Sequence, residues 1–210
     1  MPVLTFPSLT PTNAEFGLIS NTQAFTSPLS GTTQTLEMPG AHWHLRALFE
    51  GLSDAQRRTM QAFLVQCRGA GGRFYYGDPA FLVNGPTGNA GGTPLVNGAS
   101  QTGTSLITDG WTVSQTPIMG TGDYFQFDNA NGGRELHMVV ADANSDGSGN
   151  ATLTIEPAIR VSPADNAAIT VTGAKCQMRL ASDEIARWRL SKPLIGSVEI
   201  EAIEAFTDAA

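Results

Sequence analysis

GLSDAQRRTMQAFLVQCRGAGGRFYY, residues 51–76, decides the fold, because it holds the one stretch of the chain that reads clearly as a helix. Ser53 followed three residues later by Gln56 is a capping-box pair, whose side chains satisfy amide groups that a helix start leaves unpaired. Met60, Phe63, Leu64 and Cys67 recur at spacings of three and four, which lines them up as one apolar stripe, with Arg57, Arg58, Gln61 and Arg68 largely opposite. The glycines at 69, 71 and 72 end the helix, and Arg68 suits the negative end of its dipole. A helix over 53–68 is therefore expected. The aromatic run Arg73–Tyr76 then reads as a strand, closed by a turn at Gly77, Asp78 and Pro79.

Outside this stretch the chain reads as short strands and loops. Residues 42–49 give the clearest strand, because Trp43, Leu45, Ala47 and Phe49 alternate with His42, His44, Arg46 and Leu48, so one face is buried. Residues 15–20 and 35–38 are further strand candidates, and 21–33 is a polar loop or wide hairpin connection. Pro2, Pro7 and Pro11 keep the N-terminal stretch extended, as an edge strand or an arm on a neighbour. After Pro79 the character changes. Residues 84–104 are glycine-rich and uncharged, an irregular loop with one short strand at 94–96. Strand-like pieces then follow at 105–107, 111–113, 123–128, 134–140, 151–155 and 168–172, a spacing that suggests a small barrel.

From Met178 the pattern returns to that of the first part, with strand-like pieces at 178–180, 186–190 and 197–202. Ile203 and Phe206 around Glu204 break the alternation, which places a bulge or strand end there. The final strand needs a sheet to join, and the strands of residues 13–78 are the expected partners. The expected fold is mainly β, with a β-sandwich-like scaffold domain of residues 1–80 plus 178–210 that carries helix 53–68, and a small β-barrel inserted at 81–177.

With 210 residues the chain can bury a real core. Only 15% of residues are charged, so the surface is rich in neutral polar groups or is partly covered by other subunits. The net charge of -7 is concentrated in the middle, where residues 79–178 carry three basic against eight acidic side chains. That balance speaks against tight nucleic-acid binding, which relies on basic side chains to neutralise phosphates. No apolar run approaches the ~20 residues that cross a bilayer, and the N-terminus lacks a signal-peptide pattern, so a soluble, cytosolically made protein is expected.

The residue types that carry chemistry are present without the patterns that use them. No phosphate loop, nucleophile elbow or zinc-protease helix occurs. Cys67 and Cys176 are read as buried free thiols. His42 and His44 share a strand face and could share a metal, yet no third ligand is near, so they are read as surface histidines. Residues 142–149 imitate the first half of a calcium loop, but Leu153 stands where the bidentate Glu belongs, and a hairpin turn explains them better. Asp183 with Glu184, and Asp142 with Asp146, are read as solvated turn carboxylates instead of an acid and base pair. His137 completes the three histidines, and no serine motif supports a triad. No catalytic, cofactor-binding or metal-binding residue is assigned. Trp111, Tyr124 and Phe125 are the aromatics that would stack on a sugar if the barrel were a carbohydrate- or receptor-binding module.

The order of features resembles a known family. Pro7-Ser8, Ser27 to Gln34, His42-Trp43, the Leu52-Ser53 helix start and Gly72 to Pro79 look like the N-terminal part of distal tail type baseplate proteins of long-tailed, siphovirus-like phages. Thr121 to Phe125, Ala141 to Gly149 and Leu153 to Arg160 are similar to the inserted barrel of some members. Trp188 to Phe206 looks like the strands that rejoin the first domain.

The resemblance implies a structural protein of the virion tail, assembled in the host cytoplasm and without enzyme activity or cofactor. Members form a ring, a hexamer, that joins the tail tube protein to the baseplate hub protein and encloses the DNA channel, with an OB-like barrel on the outside. Self-association would then be the main contact, without specific nucleic-acid binding or membrane attachment.

Overall fold

Alternating burial, interrupted once by an amphipathic helix, builds the first sheet. The structure is a computed structural model that describes residues 3–185, 187–191 and 195–206. In chain order the elements of the first part are β1 (Val3–Leu4), β2 (Asn13–Ile19), β3 (Thr22–Thr26), β4 (Thr33–Glu37), β5 (His42–Leu52), α1 (Asp54–Cys67), β6 (Arg73–Tyr76) and α2 (Pro79–Asn84). The middle holds β7 (Gly92–Val96), β8 (Gly103–Trp111), β9 (Tyr124–Asp128), β10 (Arg134–Val139), β11 (Ala151–Ile159) and β12 (Ile169–Thr170). The last part holds β13 (Cys176–Leu180), β14 (Trp188–Ser191) and β15 (Ile195–Glu204).

The fold is mainly β, as the residues predict. A seven-stranded sheet runs in the order β1-β6-β13-β15-β5-β2, with β14 added to β15. Strands from both ends of the chain thus share one sheet. The longest pairing joins β15 to β5, antiparallel, with Ile200 opposite Ala47 and Ile203 opposite His44. Trp43, Leu45, Ala47 and Phe49 all point inward and are buried. Ser53 caps α1 with the reciprocal Gln56 bonds of a capping box, and Met60, Phe63, Leu64 and Cys67 are its buried stripe. Phe6 completes this core from the N-terminal segment, its ring 5.0 Å from Phe63 and 4.5 Å from Tyr76.

The middle strands pair with one another in a six-stranded sheet, β12-β9-β10-β11-β8-β7. The amide of Val96 donates to the Ala167 carbonyl and that of Asn166 to the Val96 carbonyl, each at 2.9 Å, which nearly closes the sheet into a barrel. Its interior is filled by side chains that include Leu106, Ile118, Phe125, Phe127, Leu153 and Ile155. Gly92, which pairs with Trp111, and Gly110 lie where the β7–β8 register shifts, and both have positive φ. A Cβ on either would meet a backbone carbonyl oxygen at 2.4 Å, so only glycine fits.

The structure departs from the sequence reading at several places. Residues 105–107 and 111–113, expected as two strands, are covered by the one strand β8, which ends at Trp111. Asp78 and Pro79 open a helix instead of closing a turn: the Asp78 carboxylate accepts from the amides of Ala80 and Phe81, and proline is suited to the first helical position. Residues 22–26, read as loop, are strand β3, which escaped notice because none of its side chains is buried and it has no buried-face alternation. Arg68 itself takes the left-handed conformation at the end of α1, ahead of the glycines, which form a 3-10 turn at Gly69–Gly71. β15 ends at Glu204, where a bulge or strand end is expected; its alternation holds up to that point, with Val198, Ile200, Ala202 and Glu204 all buried, and a further irregularity lies between Gly196 and Val198. A buried glutamate simply looks like a break in an apolar pattern. Of the expected strand at 186–190, Ala186 lies outside the described residues.

The barrel is not a loosely tethered appendage. Tyr124 and Leu136, on β9 and β10, belong to the core that the first sheet and α1 enclose. Trp43 donates from its indole nitrogen to the Leu136 carbonyl at 2.8 Å, and its ring lies 5.4 Å from that of Tyr124.

Candidate functional site and interaction surfaces

The two histidines that could have shared a metal are engaged separately in the folded chain. His42 and His44 lie on β5, and each has its own partner: His42 Nδ1 is 3.0 Å from the Gly40 carbonyl, and His44 Nε2 is 3.1 Å from a Glu201 oxygen. Cys67 and Cys176 are buried free thiols, as predicted. Burial pushes the Cys67 thiol up to about 11 and that of Cys176 well above the ordinary value, so neither is poised as a thiolate.

The carboxylates of the turn at 142–149 are taken up by protein donors. Asp146 accepts from the amides of Ser148 and Asn150, both at 2.8 Å, and from the Asn150 side chain, while Asp142 accepts from the amide and hydroxyl of Thr121. These bonds hold both acids below the usual carboxylate range. Asp183 and Glu184 have separate tasks as well: Asp183 accepts from the Ala70 amide at 2.9 Å and pins the 3-10 turn after α1, and Glu184 pairs with Arg187 in solvent. Among the described residues no group of three or more His, Cys, Asp and Glu side chains could hold a metal ion. No helix of the described residues is long and apolar enough to cross a membrane.

Trp111, Tyr124 and Phe125 are all buried. The Trp111 indole donates to the Thr108 hydroxyl at 2.7 Å, and that hydroxyl donates to the Ala151 carbonyl. These aromatics build the cores and are not a sugar-stacking surface.

What the sequence reading missed is the polar junction between barrel and sheet. Glu204, 5% exposed, faces Arg160 of the barrel, whose guanidinium donates to both carboxylate oxygens. The same carboxylate accepts from the Trp43 amide at 3.1 Å. Arg160 also stacks over the Phe206 ring, 4.4 Å from its centroid. Burial raises the Glu204 carboxyl above its ordinary value even though Arg160 and the Trp43 amide oppose the shift. No spacing motif signals such a pair, since its members lie 44 residues apart.

A second buried carboxylate tightens the barrel behind this junction. Glu135 accepts from the Asn129 side chain at 2.8 Å, the Val161 amide at 3.0 Å and the Arg160 amide at 3.1 Å, and lies 3.5 Å from His137 Nε2. Burial disfavours its charge, but the imidazole of His137 beside it and the hydrogen bonds from the Asn129 side chain and the Arg160 amide win and set it down at about 2. A carboxyl lowered in the folded state stabilises the fold above its unfolded value, near 4.5, and that contribution is lost as pH falls toward about 2. Glu135→Gln is expected to cost about 1–3 kcal/mol at neutral pH, because an amide NH2 would face backbone donors, and to flatten the acid limb of the stability profile in chemical denaturation.

Two exposed features remain. The first is the β3–β4 hairpin, in which all ten strand residues are exposed, with Phe25 66% and Leu36 61% accessible and Leu29 at its turn 98% accessible. The second is the outer face of the seven-stranded sheet, a cleft of about 620 Å³ whose lining includes Arg46, Glu50, Arg187, Arg189, Glu199 and Glu201. Arg46 donates to Glu199 at 2.7 Å there, so much of this face is self-neutralised. No protein-family model matches the chain, and no significant match exists among curated proteins.

Proposed function

We propose that the chain is an architectural protein of a phage tail or phage-derived particle, a distal tail component that closes into a ring, a hexamer by the resemblance, between the tail tube and the baseplate hub. The ring would enclose the DNA channel, and the role involves no catalytic step. The observation that carries the reading is the β3–β4 hairpin. Two strands alone are marginal in water, and this pair leaves Phe25 and Leu36 mostly exposed to solvent, so a neighbouring subunit is the natural support. A sheet assembled from both chain ends, with the barrel between, agrees with the arrangement that the resemblance implies. A closed head-to-tail ring also suits a low surface charge, since each subunit covers two different flanks. The competing view of a carbohydrate- or receptor-binding module loses the three aromatics on which it rested.

Electron microscopy of purified particles, with an antibody or gold label on this protein, tests the reading. The label is expected in one band where the tail tube meets the baseplate. A label along fibres, or none on the particle, would contradict it.

A further inference from the structure

We infer that the β3–β4 hairpin of one copy docks in the groove at the far flank of the sheet of the next copy, between the N-terminal segment and α2. This rests on the ring reading above and adds to it the two surfaces that meet.

The hairpin is two-faced. Cross-strand partners share a face, so Gln23, Phe25, Gln34 and Leu36 lie together on one side, while Thr22, Ala24, Thr26, Thr33, Thr35 and Glu37 form the other. The first side is uncharged and has an apolar centre, since Phe25 and Leu36 are diagonal neighbours. A surface that receives it should also be apolar and nearly free of charge, because a charge buried against it would go unpaired.

The grooves of the molecule differ sharply in this respect. The outer face of the sheet is lined by arginines and glutamates, and so is the smaller hollow beside it at Glu15, Arg46 and Glu199. The cleft at the base of the hairpin contains Glu37, Glu156 and Arg160. Among the grooves of the described residues, the one of about 330 Å³ between Phe6–Pro11 and α2 carries the fewest charges: Pro7, Leu9, Pro79, Leu82 and Val83 line it beside the hydroxyls of Ser8 and Thr10, with Lys175 as its one charged member. Val83 is 72% exposed within it.

Position favours a second copy as the occupant. The hairpin leaves β2 at Ile19, which pairs with His42, while the groove lies where β6 ends at Tyr76, opposite Cys176. Following the register across the sheet, His44 faces Ile203 and Met178 faces Glu204, so both sites are at the same end. They are four strands apart, about 19 Å at the usual spacing. An arm on one flank and a matching groove on the other is what a repeating head-to-tail contact needs.

The test places the photo-crosslinking residue p-benzoylphenylalanine at position 25 of the full chain and maps the adducts by mass spectrometry, beside mass measurement of the unmodified protein. Expected are covalent dimers joined to residues 6–11 or 79–83 of another copy. Phe25→Asp and Val83→Asp should each weaken association by about tenfold or more, while the melting of the dissociated subunit, read at low concentration, stays unchanged because both sites are exposed. Multimers cross-linked elsewhere, or undiminished in both variants, would overturn this docking while leaving the ring intact. A chain that is monomeric at every concentration would overturn both.

Discussion

Truncating Phe63 to alanine is expected to lower the free energy of unfolding by ~3–5 kcal/mol, the range for a large aromatic removed from a core that relaxes only partly. Phe63 is 4% exposed, and its ring meets Phe6 edge-on at 5.0 Å and Phe74 at 5.3 Å. Those contacts tie α1, the N-terminal segment and β6 together, so the cavity would open where three parts of the chain converge. Val65, two residues on, is 64% exposed, and Val65→Ala should shift stability by no more than about 0.5 kcal/mol. Chemical denaturation of the two variants reads both effects. A near-zero change at Phe63 would mean that the helix stripe is not the core.

Arg160→Ala is expected to cost ~3–5 kcal/mol, because it strands the Glu204 carboxylate in a buried site. The Arg160 side chain is 19% exposed and that of Glu204 is 1% exposed, so solvent does little to replace the lost partner. Glu204→Gln should cost much less, since it removes the charge together with the need for one and leaves an oxygen to accept from Trp43. The pH dependence has a definite sign. The carboxyl of Glu204 is raised in the folded protein, so the fold binds that proton more tightly than the unfolded chain does. Its contribution is complete below the unfolded value and is lost as pH rises through the folded one. Removing Arg160 pushes the folded value higher, and the penalty of Arg160→Ala should therefore be smaller in acid than at neutral pH. Equal losses for Arg160→Ala and Glu204→Gln in denaturant titrations would show that the pair's geometry, and not the stranded charge, sets the cost.

The residues whose neighbours are close in sequence were legible without a structure. Ser53 and Gln56 announced the start of α1, and Met60, Phe63, Leu64 and Cys67 named its buried face, because a helix writes its packing into a period of three to four residues. Trp43 to Phe49 did the same with a period of two. That the last strand joins the sheet of residues 13–78 followed from a strand left without a partner in the barrel, whereas its place beside β5 did not. Glu204 and Arg160 were not legible, since each is ordinary locally and only the fold sets one against the other. Trp111 and Phe125 were candidates for a surface until their neighbours closed over them. β3 was hidden for the opposite reason: a strand whose side chains are all exposed leaves no burial pattern, and its missing half is the support that a neighbour would supply.

That missing half is what the account of this protein depends on. The mass of the purified chain in solution, followed from low to high concentration by light scattering or mass photometry, addresses it most directly. The account predicts a closed multimer, a hexamer by the resemblance, that dissociates when Phe25 is replaced by aspartate. A monomer that persists to the highest concentration reached, with its hairpin free, would contradict it.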